Sequence, residues 1–101
     1  MEFNDEELEE ITRMGAAAFT PGQSAFALGY PVAKFIEILQ DDNHPAALAY
    51  FKGFYSSELA VRESVMLLAR SGSSPAQTLG LKYFDETRKR IMKDGNGETE
   101  I

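Results

Sequence analysis

The stretch from His44 to Arg70, HPAALAYFKGFYSSELAVRESVMLLAR, limits what this chain can fold into more than any other. It holds no proline after Pro45, and its apolar residues return at helical spacing. Ala47, Phe51, Phe54, Val61, Val65 and Leu68 share one face, interrupted by Glu58. A second row, Leu48, Tyr55, Leu59, Met66 and Ala69, runs beside it. Two adjacent rows make a face wider than one partner helix covers, so the spacing predicts a long helix that packs on neighbours from both sides. At ~1.5 Å per residue it would be roughly 40 Å long, a spine for a domain of this size. Gly53 costs about 1 kcal/mol relative to alanine in mid-helix, which points to a close helix crossing or a bend there.

The segments before the spine read as three shorter helices. Asn4 caps the first, with Glu7 three residues on as in a capping box and Phe3 and Leu8 at the spacing of a hydrophobic staple. Asp5, Glu6 and Glu7 suit the positive end of the helix dipole, and Leu8, Ile11, Met14, Gly15 and Ala18 form the expected buried stripe. Thr20-Pro21-Gly22-Gln23 repeats the capping grammar for a second helix, Pro21 to Leu28, which Gly29 stops. Pro31 opens a third, with Val32, Phe35, Ile36 and Leu39 on its apolar side, running to about Gln40. Asp41 to Pro45 is then a turn.

After the spine, Ser71-Gly72-Ser73 breaks the helix, and Ser74-Pro75-Ala76-Gln77 is a third cap of the same form. The fifth helix runs to about Lys93, with Ala76, Leu79, Tyr83, Phe84 and Ile91 available for burial. So short a connection turns it back antiparallel along the spine. The expected fold is all-α: an N-terminal three-helix helix-turn-helix region (1–43), a long antiparallel helical hairpin (44–94) as the oligomerisation element, and a flexible tail (95–101).

Composition narrows the chemistry. The chain has 101 residues and no cysteine, which excludes disulfides and thiolate metal sites. No apolar run approaches the ~18 residues a membrane span needs, and the N-terminus is acidic where a signal peptide is basic. The expectation is a cytoplasmic protein with no membrane partner and no cofactor. The net charge of −6 argues against a polyanionic partner, but between Gly15 and Asp94 there are nine Lys/Arg against eight Asp/Glu, so the acidity sits at the ends. His44 is the only histidine, there is no G-K-[ST] phosphate loop, and no Ser/His/Asp set is in prospect, so the chain is expected not to be an enzyme. Asp94-Gly95-Asn96-Gly97-Glu98 resembles a calcium loop only in fragment and is not read as one.

Residues Pro21 to Leu39, PGQSAFALGYPVAKFIEIL, look like a helix-turn-helix. Ala25 is the small residue that lets the two helices cross, Gly29 supplies a positive φ for the turn, Tyr30 follows it, and Phe35 and Ile38 have the spacing of an inner face. The start of the second of these helices presents Val32, Ala33, Lys34 and Glu37, of which only Lys34 suits a phosphate. The same element serves equally as a packing or protein-binding module.

A helix-turn-helix joined by an acidic turn to a long hairpin, with the segment AYFKGFYSSELAVRESVMLLARSGSSPAQTLGLKYF, resembles the small terminase subunits of tailed bacteriophages. Tyr50, Phe51 and Gly53 ahead of Glu58, Arg62 and Glu63, then an apolar helix end, a small-residue turn and a returning helix carry the resemblance, which covers about Leu8 to Arg90. It implies a non-catalytic homo-oligomer for viral genome packaging that binds duplex DNA and hands it to a separate motor subunit. On that footing the candidate DNA contacts are Val32, Ala33, Lys34 and Glu37, with Arg88, Lys89 and Arg90 of the basic group that also holds Lys82 and Lys93. The candidate oligomer contacts are Phe51, Phe54, Glu58, Val61, Arg62 and Val65. The basic group equally fits the cation excess usual at a helix C-terminus, Glu58 and Arg62 an intrahelical pair, and Tyr50, Phe51, Phe54 and Tyr55 a core. The alternative function is a phage or bacterial structural adaptor whose helix-turn-helix contacts only protein.

Overall fold

The computed structural model describes residues 1–96, with side chains as far as Lys93. Five helices follow in order, α1 (Asp5–Ala16), α2 (Pro21–Leu28), α3 (Val32–Leu39), α4 (Pro45–Arg70) and α5 (Ser74–Asn96), with no strand among the described residues. The expected all-α fold is what the chain adopts, a helix-turn-helix region followed by a helical hairpin. It forms two compact units that divide inside α4, at Ala60.

The first unit, residues 1–60, is built on local hydrogen bonding that the sequence encodes directly. Asn4 and Glu7 close a reciprocal capping box at 2.8 Å in both directions. Thr20 and Gln23 do the same for α2, with Pro21 at its first position. Gly29 takes φ 83° at the end of α2, and the Tyr30 N–H donates to the Ala25 carbonyl at 2.9 Å, which closes the turn into α3. His44 caps α4: its Nδ1 accepts the Ala46 N–H at 3.0 Å, so Nε2 carries the proton and meets the Met1 carbonyl at 3.3 Å.

The core of this unit is Ile11, Ala25, Phe35, Ile38, Leu39, Ala46, Ala47 and Tyr50, with Phe3, Leu8 and Tyr30 packed at its edge. Phe3 stands edge-on to Tyr30 and Phe35, ring centroids 5.2 and 6.2 Å apart. Ser24 is wholly buried, and its hydroxyl donates to the Thr20 carbonyl at 2.8 Å, so no polar atom is stranded there.

Gly15 of α1 and Gly53 of α4 settle the choice between a crossing and a bend. A methyl at Gly15 would overlap the Tyr50 carbonyl, and one at Gly53 would overlap the Thr12 carbonyl. The two backbones touch at a glycine from each side. That contact corrects the expected faces. The side of α4 that buries is Ala46, Ala47, Tyr50 and Gly53, with Gly53 admitting the α1 backbone and the Tyr50 ring reaching the core beside it, and the larger row swings to the flank, leaving Phe51 exposed. Val32 and Ile36, expected on the inner face of α3, are likewise exposed, and Phe35, Ile38 and Leu39 fill that place. Ala18, expected in the buried stripe of α1, lies beyond the helix end at φ 65° and is exposed, while the Phe19 N–H closes the cap on the Met14 carbonyl at 3.1 Å.

The second unit, from Val61 onward, is the antiparallel hairpin of the end of α4 with α5. Three contacts give its register. The Gln77 Nε2 donates to the Ala69 carbonyl at 3.0 Å, Gly80 faces the Met66 thioether, and the Arg62 guanidinium lies 4.2 Å over the Tyr83 ring. The expected capping role of Gln77 is corrected here: Ser73, not Ser74, precedes the helix and its hydroxyl accepts the Ala76 N–H at 3.4 Å, which frees Gln77 to donate to the Ala69 carbonyl at the end of α4, alongside the Gly72 N–H at 3.1 Å. Ala76 and Gly80 are the only buried residues of the seam among those described, and Leu79, Phe84 and Ile91, expected in it, are exposed. Opposite them Arg62, Val65, Met66 and Ala69 are half-buried, as is Tyr83 on α5. α5 continues through Asn96, two residues into the stretch expected as a tail; 97–101 lie outside the described residues.

Candidate nucleic-acid and assembly surfaces

The helix-turn-helix presents α3 as its outer helix, with Val32, Ala33, Lys34, Ile36 and Glu37 all exposed. The candidate contacts Val32, Ala33, Lys34 and Glu37 therefore share one surface. Its chemistry is mostly apolar. Lys34 Nζ lies 3.4 Å from Glu37, so the single cation is held by the single acid. Gly22 of α2 opens against the side chains of Val32 and Ile36, and Phe26, one turn further along α2, is 83% exposed. Sequence reasoning missed Phe26. The signal was available, since Ala25 and Leu28 face inward and Phe26 lies roughly 100° off Ala25 on the wheel.

The cations of α5 are arranged differently. Asp85 takes both Arg88, at 3.7 Å, and Lys89, at 3.2 Å, two of the three expected phosphate contacts. Arg90 is exposed, as are Lys82 and Lys93. At ~100° per residue, Lys82, Arg90 and Lys93 fall within roughly 80° of arc on one side of α5, with Glu86 the one acid among them.

The candidate assembly residues divide between the two units. In the first, Phe51 is exposed, Phe54 and Glu58 are half-buried, and Phe51 stacks with Tyr55 while Phe54 meets it edge-on. Asp42, Ala47, Leu48, Phe51, Lys52 and Tyr55 line an open groove there. In the second, Val61 is exposed, Val65 is half-buried, and Arg62 is the cation over Tyr83. A further groove of about 400 Å³ is lined by Met66, Ala69, Gly80, Leu81 and Phe84, with Arg70 and Gln77 at its end. Leu67 and Leu81, 63% and 70% exposed, were not singled out from sequence, because each falls one residue outside the apolar rows.

Two tyrosines are electrostatically marked. Burial pushes the Tyr30 hydroxyl above its usual value, and the carboxylates of Glu7 and Glu10 push it further. Burial alone raises Tyr50, whose hydroxyl donates to the Phe19 carbonyl at 2.5 Å. Both belong to the packing of the first unit. Among the described residues no group of three or more His, Asp or Glu is placed to hold a metal ion, and no helix is long and apolar enough to cross a membrane. Compared with protein-family models, curated proteins and solved structures, the chain matches none of them.

Proposed function

We propose that this chain is a non-catalytic, self-assembling subunit of small-terminase type that engages viral duplex DNA for genome packaging. The observation that carries the assembly half is the surface of the second unit. A hairpin whose seam buries only Ala76 and Gly80 leaves Val61, Leu67, Leu68, Leu79, Leu81, Phe84, Ile91 and Met92 all substantially exposed. Together these side chains expose on the order of 800 Å², spread over more than one side of the two helices, a total comparable with what one partner gives to an interface of standard size. A hairpin of two helices with so little buried between them is also weakly held by itself, so association supplies the missing core. Repeated copies in such an assembly would multiply DNA contacts that are weak singly.

A second reading has its own support. The outer face of α3 with Phe26, Val32, Ala33 and Ile36 is the surface of a protein-binding module more than of a base-reading helix. An adaptor would keep the hairpin assembly and bind protein through α2 and α3. Light scattering at two concentrations, followed by titration of duplex DNA at low salt, separates these readings. A multimer that retards DNA supports the packaging subunit, a multimer indifferent to DNA supports the adaptor, and a stable monomer removes the assembly argument from both.

A further inference from the structure

Where would duplex DNA touch this chain, if not through α3? The chain's charge is divided between its units: residues 1–60 carry three Lys/Arg against ten Asp/Glu, and residues 61–101 carry seven against six. The first unit repels a polyanion, whereas the second is close to neutral and concentrates its cations on α5, where residues 82–93 carry five Lys/Arg against two Asp/Glu. On α3 the only cation, Lys34, is held by Glu37, and its neighbours Val32, Ala33 and Ile36 have nothing to offer a phosphate. On α5 Arg88 and Lys89 are tied to Asp85, which leaves Lys82, Arg90 and Lys93 as the cations aligned on one side. They span about 17 Å of helix, close to the rise of five base pairs at ~3.4 Å each.

That side is not the one lined by the apolar groove. Gln77, Leu81 and Phe84 border the groove, whereas Lys82, Arg90 and Lys93 fall on the other flank of α5, away from those three by the helical repeat. The groove and the cations therefore lie on different flanks of α5, with Leu79 the one exposed leucine within the arc of the cations, so covering the groove leaves the cations in solvent.

We propose that Lys82, Arg90 and Lys93 form the DNA-backbone contact of this protein, a sequence-independent phosphate strip on α5, and that α3 is not the DNA-contacting helix. The assignment rests on the DNA-associated reading given above. Glu86, in the middle of the strip, weakens it, which gives the proposal a test of opposite sign.

The experiment is fluorescence anisotropy of a labelled duplex with the full chain at several salt concentrations, starting near 50 mM. Four variants are compared with the wild type: the triple Lys82→Gln, Arg90→Gln, Lys93→Gln; Lys34→Gln; Glu86→Gln; and Glu37→Gln. The triple variant is expected to bind at least about tenfold more weakly, with a log-log salt slope shallower by roughly 2 to 3, from ~0.9 per phosphate contact. Glu86→Gln is expected to bind more tightly, and Lys34→Gln and Glu37→Gln to match the wild type. All these side chains are exposed, so helicity and solution mass should be unchanged.

If the wild type binds and the triple variant binds equally well while Lys34→Gln is weakened, α3 makes the contact; the strip is refuted and the packaging reading stands. If the wild type shows no binding at low salt, both fall. If the triple variant loses mass by light scattering and DNA binding only in step with it, the strip meets the acidic residues of another copy, and the DNA assignment is overturned.

Discussion

The two units of this chain use glycine at helix crossings in opposite ways. In the first, Gly15 and Gly53 are where the backbones of α1 and α4 meet, and neither has space for a methyl group. In the second, a methyl at Gly80 would stand 3.4 Å from the Met66 sulfur, an ordinary contact distance. The first crossing is over-determined, with a core of eight buried residues around it. The second is a slack seam with a surface still to cover. A small residue thus reports close packing only when what faces it is backbone.

The sharpest way to break the comparison is Gly53→Ala. The added methyl meets the Thr12 carbonyl, which cannot rotate away, and the α1 and α4 backbones must part. A loss of at least about 3 kcal/mol is expected by chemical denaturation, even though alanine favours helix by about 1 kcal/mol. Fluorescence or near-UV signals of Tyr30 and Tyr50 should report the change, since both sit in that unit. A Gly53→Ala variant as stable as the wild type would mean the crossing is not as drawn.

Tyr50→Phe probes the same unit more gently. It removes the hydroxyl that donates to the Phe19 carbonyl, at an expected cost of about 1 to 2 kcal/mol near neutral pH. The pH dependence has a definite sign. Burial raises the Tyr50 pKa in the folded state, so its stabilising contribution is full below the unfolded value of about 10 and is lost as pH rises through the folded value. Stability of the wild type should therefore fall on the alkaline side, with Tyr30 contributing in the same direction. The Tyr50→Phe curve should fall less steeply and approach the wild type above pH ~10. Parallel curves would assign the lost stability to packing alone.

How far the sequence foretold this molecule depended on the range of the interaction. Helix ends were legible because caps are local: Asn4 with Glu7, Thr20 with Gln23 and Gly29 each act within a few residues. Buried faces were less so. Periodicity marked α4 as amphipathic, yet the face it buries was chosen by the approach of α1, a contact between residues about forty positions apart that no window on α4 contains. The same holds for Gln77, whose spacing suggested a capping box and whose partner is Ala69 on the preceding helix. The apolar rows predicted burial where the second unit has exposure, since hydropathy does not distinguish a core within one chain from a surface that another molecule covers. Of the candidate DNA contacts, Lys34, Arg88 and Lys89 could be named from residue type, but their acidic neighbours at i+3 or i−3 and i−4 decide which cations remain available.

Ala18→Gly sharpens the contrast from the stabilising side. Ala18 holds φ 65° at the end of α1, a left-handed conformation that costs an L-residue about 1 kcal/mol and glycine almost none. The Phe19 N–H to Met14 carbonyl bond that terminates the helix does not involve the side chain at 18. A gain of up to about 1 kcal/mol is expected, reduced by the greater freedom of glycine in the unfolded chain. A loss would show that the Ala18 methyl is packed, contrary to its exposure.

The smallest expected effect belongs to Gly80→Ala, and it tests the slack seam directly. Gly80 lies in the interior of α5, where alanine is worth up to about 1 kcal/mol in helix propensity. The new methyl would sit 3.4 Å from the Met66 sulfur and 3.9 Å from its terminal carbon, atoms at the end of an unbranched side chain that can shift by rotating. Against the same substitution at Gly53, the sign should reverse: a gain of a few tenths to about 1 kcal/mol, read as a higher denaturation midpoint at unchanged slope. If Gly80→Ala instead destabilises, the seam is as tightly set as the α1–α4 crossing, and the exposed residues flanking it are held in place by more than the hairpin itself.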